Sequence, residues 1–290
     1  MIKRCTLALV GLGLAAGCAA APPVAPVVVS GGRTDQPRRI QTVVADCMKQ
    51  RGFKYVAWVP EVKISEDADR ANLGDYEAMK KERTEQGFGV FVDFVHPEQR
   101  EKRVLWRESD SPNFAIKNQL SPAQRAAYGK ALTACRSQGL KQVTGKVITS
   151  DEDWAKQENE LIAQRLDRDL NVDPKLVGLA SAMGDCLKSK GHQVASLRPV
   201  DMSRRGGQEF EAQKQQLALN DDIPDKGLPA GQYYEPRIPV GTARQYLSRE
   251  IKAALDDLEC GKDFYAAYLP RSMEIVRRVE GEFGSGGDNS

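Results

Sequence analysis

Little in this chain is equipped for catalysis. Histidine is the commonest acid, base and metal ligand near neutral pH, and the 290 residues contain only His96 and His192. His96 precedes Pro97 and His192 follows Gly191, neither at a metal-ligand spacing nor beside a G-x-S-x-G nucleophile elbow. Both read as surface or turn residues, so neither a catalytic residue nor a metal or cofactor is expected. Gly87-Phe88-Gly89 lacks the third glycine and the following helix of a dinucleotide fingerprint. With 40 acidic residues, paired-carboxylate hydrolysis stays formally open. Asp93, in an apolar run, and Asp256 with Asp257, before Cys260, have the least ordinary settings, although capping and solvated helix faces explain them more simply.

Aromatic residues offer binding chemistry instead. Tyr55 and Trp58 share one alternating segment, Trp106 stands between Arg103 and Arg107, and Tyr233-Tyr234 occupy a loop. Tyr and Trp combine an apolar ring with a polar tip, so exposed ones near arginine suit sugar or protein contacts. Trp58, Trp106, Tyr233 and Tyr234 are the candidate ligand contacts, with core packing the simpler role for Tyr55 and Trp58.

The cysteines say more. Lys3 and Arg4 precede 13 uncharged, mostly apolar residues from Cys5 to Gly17, the layout of a secretory signal peptide. A spanning helix needs about 20 apolar residues, so this stretch is too short. Its end, Leu14-Ala15-Ala16-Gly17-Cys18, resembles the lipobox of bacterial lipoproteins, with Ala15 where leucine is usual and Leu14 one place earlier. The resemblance implies cleavage before Cys18 and lipidation of its thiol; a plain signal cut after Ala21 is the alternative. Ala19 to Gly32, rich in Pro, Ala, Val and Gly, suits a semi-extended tether. Loss of residues 1 to 17 removes Lys3 and Arg4, leaving 40 basic against 40 acidic residues. That balance lacks the positive footprint that phosphate-backbone binding requires, so nucleic acid is excluded as a partner.

Export places the remaining cysteines, Cys47, Cys135, Cys186 and Cys260, where thiols oxidise. Four cysteines allow three pairings, and an internal repeat selects among them. Asp46-Cys47-Met48-Lys49-Gln50-Arg51-Gly52 recurs 139 residues later as Asp185-Cys186-Leu187-Lys188-Ser189-Lys190-Gly191, and Pro60 falls opposite Pro199. Each first cysteine lies on the apolar stripe of a helix ending at glycine. Each second cysteine closes a later helix, opened by capping boxes at Ser121-Pro122-Ala123-Gln124 and Thr242-Ala243-Arg244-Gln245. The order favours pairing within each copy, Cys47 with Cys135 and Cys186 with Cys260.

The surrounding pattern completes the expected architecture. Phe53 to Trp58, Gly87 to Val95 and, more weakly, His192 to Pro199 read as short strands. Ser150 to Leu170 predicts a long helix linking the copies, Phe210 to Leu219 a short one, and Tyr265 to Phe283 a helix that Pro270 kinks or breaks. The expected fold class is therefore α+β and helix-rich, with two homologous disulfide-stapled halves of capped helices and short strands. Its parts are a signal peptide (1–17), a lipidated Cys18 with tether (18–34), a first half (35–149), a second half including the linking helix (150–283) and a disordered tail (284–290).

Cys47-Met48 with Gly52-Phe53, Leu120-Ser121-Pro122-Ala123-Gln124-Arg125-Ala126-Ala127-Tyr128 leading to Cys135, and Glu250-Ile251 with Asp257-Leu258-Glu259-Cys260 carry a wider resemblance. In motif order the chain is similar to uncharacterised secreted bacterial lipoproteins of actinobacterial type, with a lipobox and four further cysteines. The resemblance implies the architecture and brings no activity, substrate or cofactor. The expectation is a membrane-anchored binding or structural component of the bacterial cell envelope. It would sit on the extracytoplasmic face through its lipid and meet an envelope protein or polymer. An envelope hydrolase with paired carboxylates in a groove between the halves is the alternative.

Overall fold

A computed structural model describes residues 35–61, 64–102, 107–221, 228 and 232–285. The signal peptide, Cys18, the tether, Trp106 and residues 286–290 lie outside the described residues. In chain order the helices are α1 (Asp35–Gln50), α2 (Glu66–Asn72), α3 (Tyr76–Gln86), α4 (Val92–Val95), α5 (Pro97–Lys102) and α6 (Pro112–Asn118). They continue with α7 (Pro122–Thr144), α8 (Asp151–Leu170), α9 (Pro174–Ser189), α10 (Pro199–Leu219), α11 (Val240–Cys260) and α12 (Lys262–Phe283).

Two disulfides join Cys47 on α1 to Cys135 on α7 and Cys186 on α9 to Cys260 at the end of α11, each with Cα atoms 5.6 Å apart. The bridges span 88 and 74 residues, for which the chain-entropy model gives an upper figure of about 4–5 kcal/mol each. Around the first bridge, Ile40, Val44, Met48, Tyr128 and Leu140 form one core. α1 and α7 approach closely because Gly139 carries no side chain, and a Cβ there would stand 3.1 Å from the Ile40 carbonyl oxygen. The second bridge borders a larger core of Leu170, Leu176, Met183, Leu187, Met202, Leu258 and Phe264.

The ends of α1 and α9 repeat bond for bond. Gly52 N–H donates to Lys49 and Phe53 N–H to Met48; Gly191 donates to Lys188 and His192 to Leu187, all at 3.0 Å. This is the Schellman closure, with glycine at φ 82° and 87° supplying the left-handed residue. Ser121 and Gln124 cap α7 reciprocally, and Asp173 caps α9 ahead of Pro174.

Several expectations are corrected. No strand occurs among the described residues, so the fold is all-helical rather than α+β. Residues 53–61 form no regular secondary structure. Both main-chain groups of Val56 bond instead to the side-chain amide of Asn113, at 2.8 and 2.9 Å. Gly87 to Phe91 is a mostly buried turn and Val92 to Val95 the short helix α4, because the N–H groups of Phe88, Val90 and Phe91 donate to the Glu250 carboxylate at 2.8, 2.8 and 2.9 Å. An apolar run needs a ladder only when nothing else satisfies its main chain. Gly87, at φ 64°, lets the carboxylate in, since a Cβ there would lie 2.7 Å from Glu250 Cγ. The segment after His192 leads into α10, which starts at Pro199 and runs to Leu219. α11 starts at Val240, ahead of Thr242, without a side-chain cap. α12 continues through Pro270.

All described residues belong to one compact unit. α2 and α3, from the first half of the sequence, contribute Ala71, Ala78 and Met79 to the larger core. Phe91 enters a third core with Phe210 of α10 and Leu247 of α11, stacked on Tyr246 at 4.7 Å. α8 and α12 run antiparallel, joined by a bidentate Arg165–Glu282 pair at 2.6 and 2.9 Å. The end of α12 reaches back to the first core, where a Cβ on Gly284 would meet Ile40 Cδ1.

Candidate functional site

The acids singled out in the sequence are anchors rather than a carboxylate pair facing a groove. Asp257 is wholly buried. Its Oδ1 receives Arg83 at 2.7 Å and the Tyr265 hydroxyl at 2.6 Å, and its Oδ2 lies 3.4 Å from Arg205. Arg83 also donates to the Ala254 carbonyl and lies over the Tyr265 ring at 4.7 Å. Asp256 holds His192 Nε2 at 3.0 Å, Lys252 at 3.0 Å and Lys190 at 3.2 Å. Partial burial pushes its carboxyl up, but these three donors outweigh that and hold it well below the usual carboxylate range. Asp93 is half-buried in α4. His96 faces Glu98 at 3.4 Å, on a different element from His192. Among the described residues no three His, Cys, Asp or Glu side chains gather as a metal site.

The site with unmet chemistry is a cleft of about 530 Å³ on the first core. Its walls are residues 55–60, the start of α6, the middle of α7, the first turns of α8, and Ser285. Five aromatic side chains line it: Tyr55, Trp58, Phe114, Tyr128 and Trp154. The helical period sets the polar positions, because Tyr128, Leu132 and Arg136 stand one turn apart along α7, and Trp154 and Glu158 do so along α8. The Ser150 hydroxyl caps the start of α8 by accepting from Asp153 N–H, and Asp153 in turn accepts from Thr149 N–H at 2.8 Å. That fixed first turn holds Trp154 against α7.

Most polar groups of the wall are matched. Tyr55 donates to Gln41 Oε1 at 2.9 Å, Arg136 pairs with Asp151 at 2.5 Å, and Lys117 pairs with Glu108 at 2.8 Å. Glu158 accepts from the Ser285 hydroxyl. Burial raises its carboxyl, that hydrogen bond pulls it back, and nearby Glu280 raises it further. Two buried groups of the wall find no hydrogen-bond partner among the described residues: the hydroxyl of Tyr128, a residue 2% exposed, and the indole N–H of Trp154. Burial and the neighbouring Tyr55 push the Tyr128 hydroxyl up to about 12 against the pull of Arg136, so it stays protonated as a donor. A buried polar group without a partner costs about 1–3 kcal/mol.

Of the candidate contacts, Trp58 lines this cleft. Tyr233 and Tyr234 do not line it and lie in the irregular segment that leads into α11, and Trp106 is outside the described residues. The residues missed are Tyr128, Trp154, Arg136 and Asn113. Tyr128 and Trp154 fall on the apolar stripes of α7 and α8; the signal available was the polar tip each carries into the core. In the second half Val194 and Leu197 occupy the places of Tyr55 and Trp58. There Leu197 closes on the helix, and a Cβ on Gly184 would lie 2.3 Å from Leu197 Cδ2. The first half keeps the open aromatic version.

No protein-family model, curated protein or solved structure matches this chain.

Proposed function

We propose that the protein is an exported bacterial lipoprotein, held on the extracytoplasmic face of a membrane through lipid on Cys18, that binds a component of the cell envelope in the aromatic cleft. The observation that carries the binding role is a cleft of about 530 Å³ lined by five aromatic side chains. Ligand sites are largely apolar clefts with a few placed polar groups. Glu108, Asp151 and Glu158 are each engaged with Lys117, Arg136 or Ser285, which favours binding over carboxylate-driven hydrolysis. Export is supported by the signal-like N-terminus and by two disulfides, which persist in oxidising compartments. No helix among the described residues is long and apolar enough to cross a membrane. The proposed anchor is the lipid on Cys18, whose two or more acyl chains would hold stably where one holds marginally.

Two experiments test the proposal. Cells fed labelled palmitate should yield a labelled, membrane-associated protein that Cys18→Ala abolishes; an unmodified mature chain starting at Pro22 would defeat the lipoprotein assignment. A photo-crosslinking amino acid at Lys117, on the cleft wall, should trap an envelope component, while the same probe at exposed Val240 should not. Equal trapping at both positions, or none at Lys117, would remove the cleft as the binding site.

A further inference from the structure

The charges in the cleft wall do not balance, and that narrows its occupant. Glu108 pairs with Lys117 at 2.8 Å and Asp151 with Arg136 at 2.5 Å, which leaves Glu158 as a third acid against two bases. Its carboxylate is half-buried and, among the described residues, bonds only the neutral hydroxyl of Ser285. The charged side chain that acts on it, Glu280 of α12, has the same sign. A partly desolvated carboxylate without a cation is unfavourable, and an incoming cation relieves it. Glu158 follows Trp154 by one turn of α8, so acid and ring share a face. The rings of Tyr55, Phe114 and Trp154 are each only partly buried and line the same hollow. Aromatic faces are electronegative and attract cations held within about 6 Å of the ring centre.

Other ligand classes fit less well. An anion would meet Glu158 and would have to break one of the two ion pairs. A neutral ligand leaves the third acid uncompensated. An inorganic cation such as calcium takes six or more oxygen ligands, and no three His, Cys, Asp or Glu side chains gather among the described residues. A quaternary ammonium suits the rings but brings no N–H for the carboxylate. A primary ammonium donates, but it is a compact and strongly hydrated charge. Guanidinium is planar and weakly hydrated, stacks on aromatic rings and donates in a fork that matches a carboxylate.

We propose that the cleft captures the guanidinium group of a ligand, held against the rings of Tyr55, Phe114 and Trp154 and paired with Glu158. This rests on the binding role proposed above. Ser285 engages Oε1 of that carboxylate, and the other oxygen accepts from the ligand. A second hollow, of about 300 Å³, shares Gln41, Trp58 and Pro60 with the cleft and gives room for a longer molecule bearing the group. An arginine side chain on a polypeptide and a free guanidino compound present the same chemistry.

Calorimetric titration of the full exported chain in detergent tests the assignment. The guanidinium probes are agmatine and a blocked alanine peptide with one central arginine; the controls are choline and the same peptide with citrulline, the uncharged isostere of arginine. At least one guanidinium probe should bind saturably, and both controls at least tenfold more weakly. Tighter binding of the peptide assigns the group to a polypeptide, and tighter binding of agmatine to a free small molecule. Glu158→Gln keeps the shape and removes the charge, so it should weaken guanidinium binding about tenfold. Added salt should weaken binding to the native chain more than to the variant. The thermal midpoint of the ligand-free variant should not fall, because the carboxylate has no cation partner to lose; a fall together with lost binding would make Glu158 structural and overturn the pairing. Guanidinium binding unchanged by Glu158→Gln, either control bound as tightly, or no guanidinium binding at all also overturns it. The crosslink at Lys117 decides the binding role separately: an envelope component trapped there without guanidinium affinity leaves the cleft a binding site for another chemistry.

Discussion

The buried carboxylate of Asp257 faces two guanidinium groups, Arg83 and Arg205, whose side chains are only 12% and 10% exposed, and Arg205 is shared with Glu209 at 3.1 Å. Removing one partner of a buried pair leaves uncompensated charge and costs about 3–5 kcal/mol. Asp257→Ala should therefore lower the unfolding free energy by that amount in urea titrations, whereas Asp256→Ala, partly solvated among flexible lysines, should cost about 1 kcal/mol. Asp256 carries its own pH signature. Its carboxyl titrates below the ordinary aspartate value of about 3.9, so the folded state binds fewer protons than the unfolded state. Its contribution is then complete above about pH 4 and is lost as pH falls through the depressed folded value. Asp256→Asn should destabilise at neutral pH and flatten the acid limb of stability against pH; an unchanged acid limb would mean that the cluster of Lys190, His192 and Lys252 does not act on it. The sequence marks both acids as unusual but not what they face, because Arg83 lies 174 residues from Asp257.

At the scale of elements, helices were legible wherever apolar period, cap and stop coincided. α1, α7, α8 and α9 each show the stripe together with Ser121, Ser150, Asp173 or a closing glycine. The turn at Gly87 to Phe91 was not legible, because its main chain is satisfied by a side chain 159 to 162 residues away. Local pattern cannot separate that from a strand. Glycines test how far such close approaches fix the elements. Gly52 and Gly74 have nearly the same φ, 82° and 83°, but a Cβ on Gly52 meets nothing within 4 Å, while one on Gly74 would stand 2.5 Å from the Tyr265 carbonyl oxygen on α12. Gly52→Ala should cost about 1–2 kcal/mol, from left-handed backbone alone. Gly74→Ala carries that strain and must also push the α2–α3 turn off α12, so it should cost about 1–3 kcal/mol more than Gly52→Ala, the usual penalty of overpacking. Denaturant midpoints of the two variants compare them directly, and equal losses would mean that the turn yields freely.

For the whole molecule, the repeat in the sequence implies two similar halves, and the structure interleaves them. α2, α3 and Phe91 come from the first half, yet they complete the cores around α10, α11 and α12. Cut at residue 150, the later segment would lose Arg83 from Asp257 and the Phe88, Val90 and Phe91 amides from Glu250, leaving two fully buried carboxylates without their main partners. It would also uncover Phe210 and Leu247. None of this was readable beforehand, because α2 and α3 are mostly charged and their apolar contribution to the core is a few small side chains and Met79. The consequence is cooperative unfolding. Trp58 and Trp106 precede residue 150 and Trp154, at the start of α8, packs on the first core, so tryptophan emission reports mainly that part of the molecule, whereas α8 to α12 supply most of the far-ultraviolet helical signal. In urea the two signals should share one midpoint, as two-state unfolding requires, and the isolated segment 150–285 should lack cooperative unfolding. Separate midpoints, or a cooperatively folded 150–285 fragment, would mean that the crossing contacts of Arg83 and Glu250 couple the halves only weakly.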